Sequence, residues 1–134
     1  MCIRDRFNDF SGGIAASGGT LSNLNALIAA RNNAGLGTNP NSVLLVSEDA
    51  HSSFVKCIRV MGLDSTNLVR IKSDIQGRMD INYLRKSLDK CSIENKKIFA
   101  IVATLGTTVR GAIDPIKEIS KICKQRNIWL HIDG

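Results

Sequence analysis

A chain of 134 residues that is 43% hydrophobic has the size and make-up of one globular core, and its low aromatic share of 4% leaves Ile, Leu, Val and Ala as the apolar mass, as where helices cover a parallel sheet. The net charge of +6 is spread along helix faces (Lys86 and Lys90, then Lys117, Lys121 and Lys124) without interleaved aromatics, which speaks against a nucleic-acid partner; no apolar run reaches membrane-span length and no signal peptide opens the chain. The four cysteines, Cys2, Cys57, Cys91 and Cys123, are scattered and no histidine lies at ligand spacing, so neither a zinc site nor a disulfide framework is indicated, and a reducing, cytoplasmic setting is expected.

Met1-Cys2-Ile3-Arg4-Asp5-Arg6 matches no element that follows and reads as a non-native, adapter-derived leader, with residues 7–134 as the native part. Ser17-Gly18-Gly19-Thr20 then opens a helical pattern in which Leu21, Leu24, Leu27 and Ile28 recur, with Asn23, Asn25 and Arg31 placed on other faces. Ser17 or Thr20 is expected to cap this helix, and Gly35 and Gly37 to end it. Residues 43–46 form a short apolar strand, followed by Ser47-Glu48-Asp49-Ala50-His51 and a helix over about 52–61 that Gly62 ends. A second strand covers 68–71, and Asp80 is a good N-cap for a helix carrying Ile81, Leu84 and Leu88. The unbroken apolar run 98–103 predicts a central strand buried on both faces, followed by a loop holding Gly106, Thr107, Thr108 and Gly111. Asp114-Pro115 reads as a cap with proline at the first helical position, before a helix whose inner face is Ile116, Ile119, Ile122 and Cys123; residues 128–132 are the last strand.

Alternating strands and helices predict a three-layer α/β/α fold with a mostly parallel sheet. In such folds ligands bind beyond the carboxyl ends of the strands. His51, the loop 106–108 and Asp133 all follow or end a predicted strand, and the Ser17-Gly18-Gly19-Thr20 turn opens a helix, so four polar features converge on one sheet edge. The glycine turn suits an anion at a helix N-terminus, or a plain capping turn. It is neither a Walker loop nor a dinucleotide fingerprint. A carboxylate ending an apolar strand, as Asp133 does, needs a cation or caps the next turn. His51 can stack on a flat ring and move protons, or hold a structural hydrogen bond. Thr107 and Thr108 offer hydroxyls or ordinary turn chemistry. His131 shares the strand face of Asp133 and is assigned a supporting role.

Residues 17–23, 49–53, 102–108 and 129–133 together resemble the pyridoxal-phosphate-dependent group II amino acid decarboxylases, a family that includes glutamate, aromatic amino acid and 2,4-diaminobutyrate decarboxylases. Gly77-Arg78-Met79-Asp80 and residues 111–115 fit the same pattern. The resemblance implies part of the large domain of a fold-type-I enzyme that converts an L-amino acid to an amine and carbon dioxide, and a homodimer when full length. It implies that Gly18, Gly19 and Thr20 bind the cofactor phosphate, that His51 stacks on the pyridine ring and assists proton transfer, that Thr108 lies beside the ring or the substrate carboxylate, and that Asp133 pairs with the ring nitrogen. The family usually has alanine where Gly134 stands. No lysine here matches the family's cofactor-carrying lysine, which the resemblance places beyond Gly134. The segment is thus expected to be truncated at both ends and inactive alone. The rival readings are another fold-type-I enzyme, an aminotransferase or carbon–carbon lyase, and a non-catalytic phosphate-binding α/β domain.

Overall fold

The computed structural model of the chain describes residues 12–108 and 110–134. Residues 1–6, read above as a leader, and Cys2 among them lie outside the described residues. Four strands, β1 (Ser42–Ser47), β2 (Leu68–Ile71), β3 (Lys97–Thr104) and β4 (Trp129–Asp133), form one sheet in the order β2-β1-β3-β4, every pair parallel. The predicted strands lie where the apolar runs placed them, with ends moved by one residue. β4 extends to Asp133, so the carboxylate belongs to the strand's last residue.

Side chains alternate across β1 and send it into two cores. Val43 and Leu45 join Ile101 and Ala103 beneath α3 (Ile81–Ile93) and α4 (Ile116–Arg126), whose Leu84, Leu88, Ile119 and Ile122 are buried there. Leu44 and Val46 join Phe99, Ala100 and Val102 beneath α1 (Gly19–Asn33) and α2 (Ser53–Val60). The result is the expected three layers. Between β1 and β3 the register slips: Val43 pairs with Ile98 but Leu44 with Ala100. Phe99 is the extra residue, which is why Phe99 and Ala100 fall in the same core although adjacent in sequence. Cys57, Cys91 and Cys123 are buried free thiols, and burial pushes Cys123 up to about 11.

Three local expectations are corrected. The buried stripe of α1 is Asn23, Leu27, Ala30 and Arg31, whereas Leu21 and Ile28 are exposed. Two polar residues can occupy that stripe because both find partners; Arg31 Nη1 donates to the carbonyl of Met61 at 2.8 Å. Neither Ser17 nor Thr20 caps α1, since Gly18 is the N-cap and Thr20 lies inside the helix. Asp114 does not cap α4, whose N-cap is Pro115, because its carboxylate is engaged elsewhere. Asp80 does cap α3, accepting from the Tyr83 N–H at 2.9 Å.

Candidate active site

The chain runs outward in opposite directions from the β1–β3 pair, first to β2 and then to β4. Such a switch point leaves a crevice at the carboxyl ends of the strands. Here it is a cleft of about 380 Å³, closed on one side by the start of α1. Gly19, Thr20, His51, Thr108 and Asp133 all line it, so five of the six predicted site residues meet around one space. Gly18, the sixth, does not line it.

Gly18 has φ 155° and ψ 164°, a region open essentially to glycine alone, and this sharp entry turns the chain into α1. No side chain caps the helix, and the first intrahelical bond runs from the Ser22 N–H to the Gly18 carbonyl at 3.0 Å. The preceding N–H groups at the helix start are therefore left for solvent or a ligand, and the helix dipole favours an anion there.

Asp133 is held from α1. Asn23, near the start of the helix and only 8% exposed, donates from Nδ2 to Asp133 Oδ1 at 3.1 Å. The amide oxygen of Asn23 lies 2.8 Å from His131 Nε2. The Phe54 and His131 rings form a T-shaped pair at 6.3 Å between centroids and 77° between planes. Burial lowers the His131 pKa below its ordinary value of 6.5, with the charge of Asp133 opposing the shift. A histidine lowered on folding binds fewer protons in the folded state, so stability is kept above the unfolded pKa and is lost as pH falls below it. The folded protein should therefore lose stability as pH falls below about 6.5, and His131→Gln should flatten that part of the profile. Thermal unfolding of the full-length protein across this range is the check.

The loop after β3 is fixed by a buried carboxylate. Asp114, 2% exposed, accepts the Thr104 N–H at 2.8 Å and the Met79 N–H at 2.7 Å. Burial pushes its carboxyl up, while these two N–H groups oppose the shift. Thr107 is buried and performs turn chemistry, its Oγ1 accepting the Ala112 N–H at 3.1 Å, whereas Thr108 is exposed at the cleft. The Leu105 N–H donates to the Asp133 carbonyl at 2.7 Å, tying the loop to the end of β4. This contact brings Leu105 so close to Gly134 that an added Cβ would lie 2.7 Å from Leu105 Cβ. Glycine at 134 thus has a local steric reason.

His51 is exposed after β1, and its Nδ1 accepts the Ser53 N–H at 3.1 Å. His51 thus makes a structural hydrogen bond, yet its ring remains at the cleft. Asn23, Ser53, Thr104 and Leu105 also line the cleft, although the sequence assigns none of them to the site. Ser53 and Thr104 are 3% and 5% exposed, and neither hydroxyl has a partner. No sequence signal marks them, since Ser and Thr at element ends are common. None of the residues lining the cleft is a lysine.

The family model for the pyridoxal-dependent decarboxylase conserved domain matches residues 2–134. The chain is 33% identical over 128 residues to an aromatic-L-amino-acid decarboxylase of Bacillus atrophaeus, covering 96% of this chain and 27% of that protein. It is 37% identical over 118 residues to an L-2,4-diaminobutyrate decarboxylase of Rhizobium meliloti, covering 88% and 24%. Among solved structures, the glutamate decarboxylase domain of diaminobutyrate-pyruvate transaminase and L-2,4-diaminobutyrate decarboxylase from Vibrio parahaemolyticus superposes with a TM-score of 0.91 at 28% identity, over 96% of this chain and 31% of that one. The chain therefore spans about a quarter of the length of these curated relatives. Sheet order, crevice and the family match over nearly every residue agree: this chain belongs to the pyridoxal-dependent decarboxylases.

Proposed function

We propose that the full-length protein is a pyridoxal 5'-phosphate-dependent carboxy-lyase that converts an L-amino acid to an amine and carbon dioxide, and that residues 7–134 form part of its large domain. The observation that carries this reading is the meeting, across one cleft, of an uncapped helix N-terminus and a strand-end carboxylate. The first suits a phosphate and the second a protonated ring nitrogen. The cleft is of the right order for the cofactor, and the hydroxyls of Ser53 and Thr104 are buried polar atoms left for a ligand.

When bound, the cofactor supplies an electron sink for the pair released as the carboxylate leaves. The residues of this chain hold and orient it. Gly19 and Thr20 bind the phosphate with Gly18 shaping the turn. Asp133 keeps a proton on the ring nitrogen. His51 would stack on the ring and assist proton transfer, and Thr108 would lie beside the ring or the substrate carboxylate. The lysine that attaches the cofactor comes from elsewhere in the full-length protein. A cytoplasmic homodimer completes the reading.

The test is a product assay. Full-length protein with pyridoxal 5'-phosphate, offered L-glutamate, L-2,4-diaminobutyrate and aromatic L-amino acids in turn, is expected to release carbon dioxide and the matching amine from one of them. Transfer of the amino group to a 2-oxo acid without carbon dioxide would replace this reading with an aminotransferase.

A further inference from the structure

We propose that Asn23 is a positioning residue for Asp133: its carboxamide, turned by His131, fixes one carboxylate oxygen and leaves the other to meet the cofactor's ring nitrogen. The inference rests on the cofactor reading above and adds to it a residue and a direction of hydrogen bonding.

Asn23 lies in the stripe of α1 that also buries Leu27 and Ala30. An amide there costs stability unless it is satisfied. Both ends are satisfied across 108 and 110 residues of sequence, by His131 Nε2 at 2.8 Å and Asp133 Oδ1 at 3.1 Å. The direction of this chain of bonds follows from chemistry. A carboxylate only accepts, so the amide nitrogen of Asn23 must face Asp133. The amide oxygen then faces His131, whose Nε2 must carry a hydrogen and donate it. His131 is the neutral Nε2–H tautomer, and burial, which disfavours its charged form, agrees. The T-shaped packing of Phe54 against the imidazole restricts the ring's rotation.

The consequence is geometric. With Oδ1 engaged from α1, rotation of the Asp133 carboxylate is restricted and its second oxygen is the one free for the cleft. The same helix presents its N-terminus to the phosphate end. Asn23 therefore sets the two ends of the cofactor site relative to each other. A merely structural asparagine would stabilise the fold without influencing the proton on the ring nitrogen.

Full-length protein loaded with pyridoxal phosphate labelled with ¹⁵N in the ring separates these roles. Asn23→Ala and Asn23→Ser are expected to raise the cofactor's dissociation constant about tenfold and to move the ¹⁵N signal towards the unprotonated position. A folded Asn23→Ala protein with unchanged signal and affinity would overturn the inference alone. A wild type that takes up no labelled cofactor sinks the reading beneath it, and the inference with it. Should both variants fail to fold, ring-¹⁵N histidine spectra of the wild type, assigned with His131→Gln, decide. A hydrogen on Nε2 and a bare Nδ1 support the proposal. The opposite tautomer overturns it, because Nε2 would then accept from Asn23 and the amide oxygen would face Asp133.

Discussion

Asp133→Asn in the full-length protein is expected to lower decarboxylation roughly 10²- to 10⁴-fold while leaving the fold intact. The asparagine is isosteric, and the backbone bond from the Leu105 N–H to the carbonyl of residue 133 does not involve the side chain. Its amide oxygen can still accept from Asn23, whose Nδ2 donates to Asp133 Oδ1 at 3.1 Å in the wild type. That pairing turns the new NH₂ group, a donor, towards the cleft. A ring N–H then meets a donor where it needs an acceptor, and the nitrogen gives up its proton. Removing one partner of a buried charge pair costs on the order of 3–5 kcal/mol, which converts to the stated range of rates. Turnover is measured by carbon dioxide release, with circular dichroism to confirm the fold. Turnover within a few-fold of wild type would remove Asp133 from the proposed role.

The second large effect lies away from the cofactor. Asp114→Ala should destabilise the protein by on the order of 3–5 kcal/mol, since it strips acceptors from two N–H groups that its carboxylate serves, those of Met79 and Thr104. Asp114→Asn keeps one acceptor oxygen and should cost about half as much. Hydrogen exchange gives a residue-level check: the amides of residues 79 and 104 should exchange much faster in the alanine variant, whereas those of β1 should change little. Activity should fall as well, because the β3 exit positions Thr104 and Thr108 at the cleft. Unchanged exchange at both amides would show that other groups hold this loop.

Asp114 also illustrates what a linear reading can and cannot see. The segments 77–80 and 111–115 both stood out as motifs, and the Asp-Pro pair looked like a helix cap. The structure joins the two motifs instead, through the bond from the Met79 N–H to Asp114. A capping residue and a buried carboxylate with distant partners have the same local signature, so only the fold distinguishes them. The strands were legible because parallel strands covered on both faces are continuous apolar runs, as in β1 and β3. The cleft was legible because strand ends and a glycine turn place polar groups at one edge.

Asn23 and Arg31 were not legible. Helical periodicity assigns buried faces to apolar residues, and α1 buries polar ones that hydrogen-bond to Asp133, His131 and Met61. Leu21 and Ile28, which periodicity placed inside, are exposed. The hydroxyls of Ser53 and Thr104 were silent for a related reason: what marks them is the lack of a partner once buried, a property of packing and not of sequence.

The central claim is that this cleft grips pyridoxal 5'-phosphate at both ends. A crystal structure of the full-length protein with the cofactor tests it most directly. The account predicts the phosphate within about 3 Å of backbone N–H groups at the start of α1 and of Thr20, and the ring nitrogen within about 3 Å of the Asp133 oxygen not bound by Asn23. Cofactor bound outside the cleft, or in it with the ring nitrogen turned away from Asp133, would contradict the account.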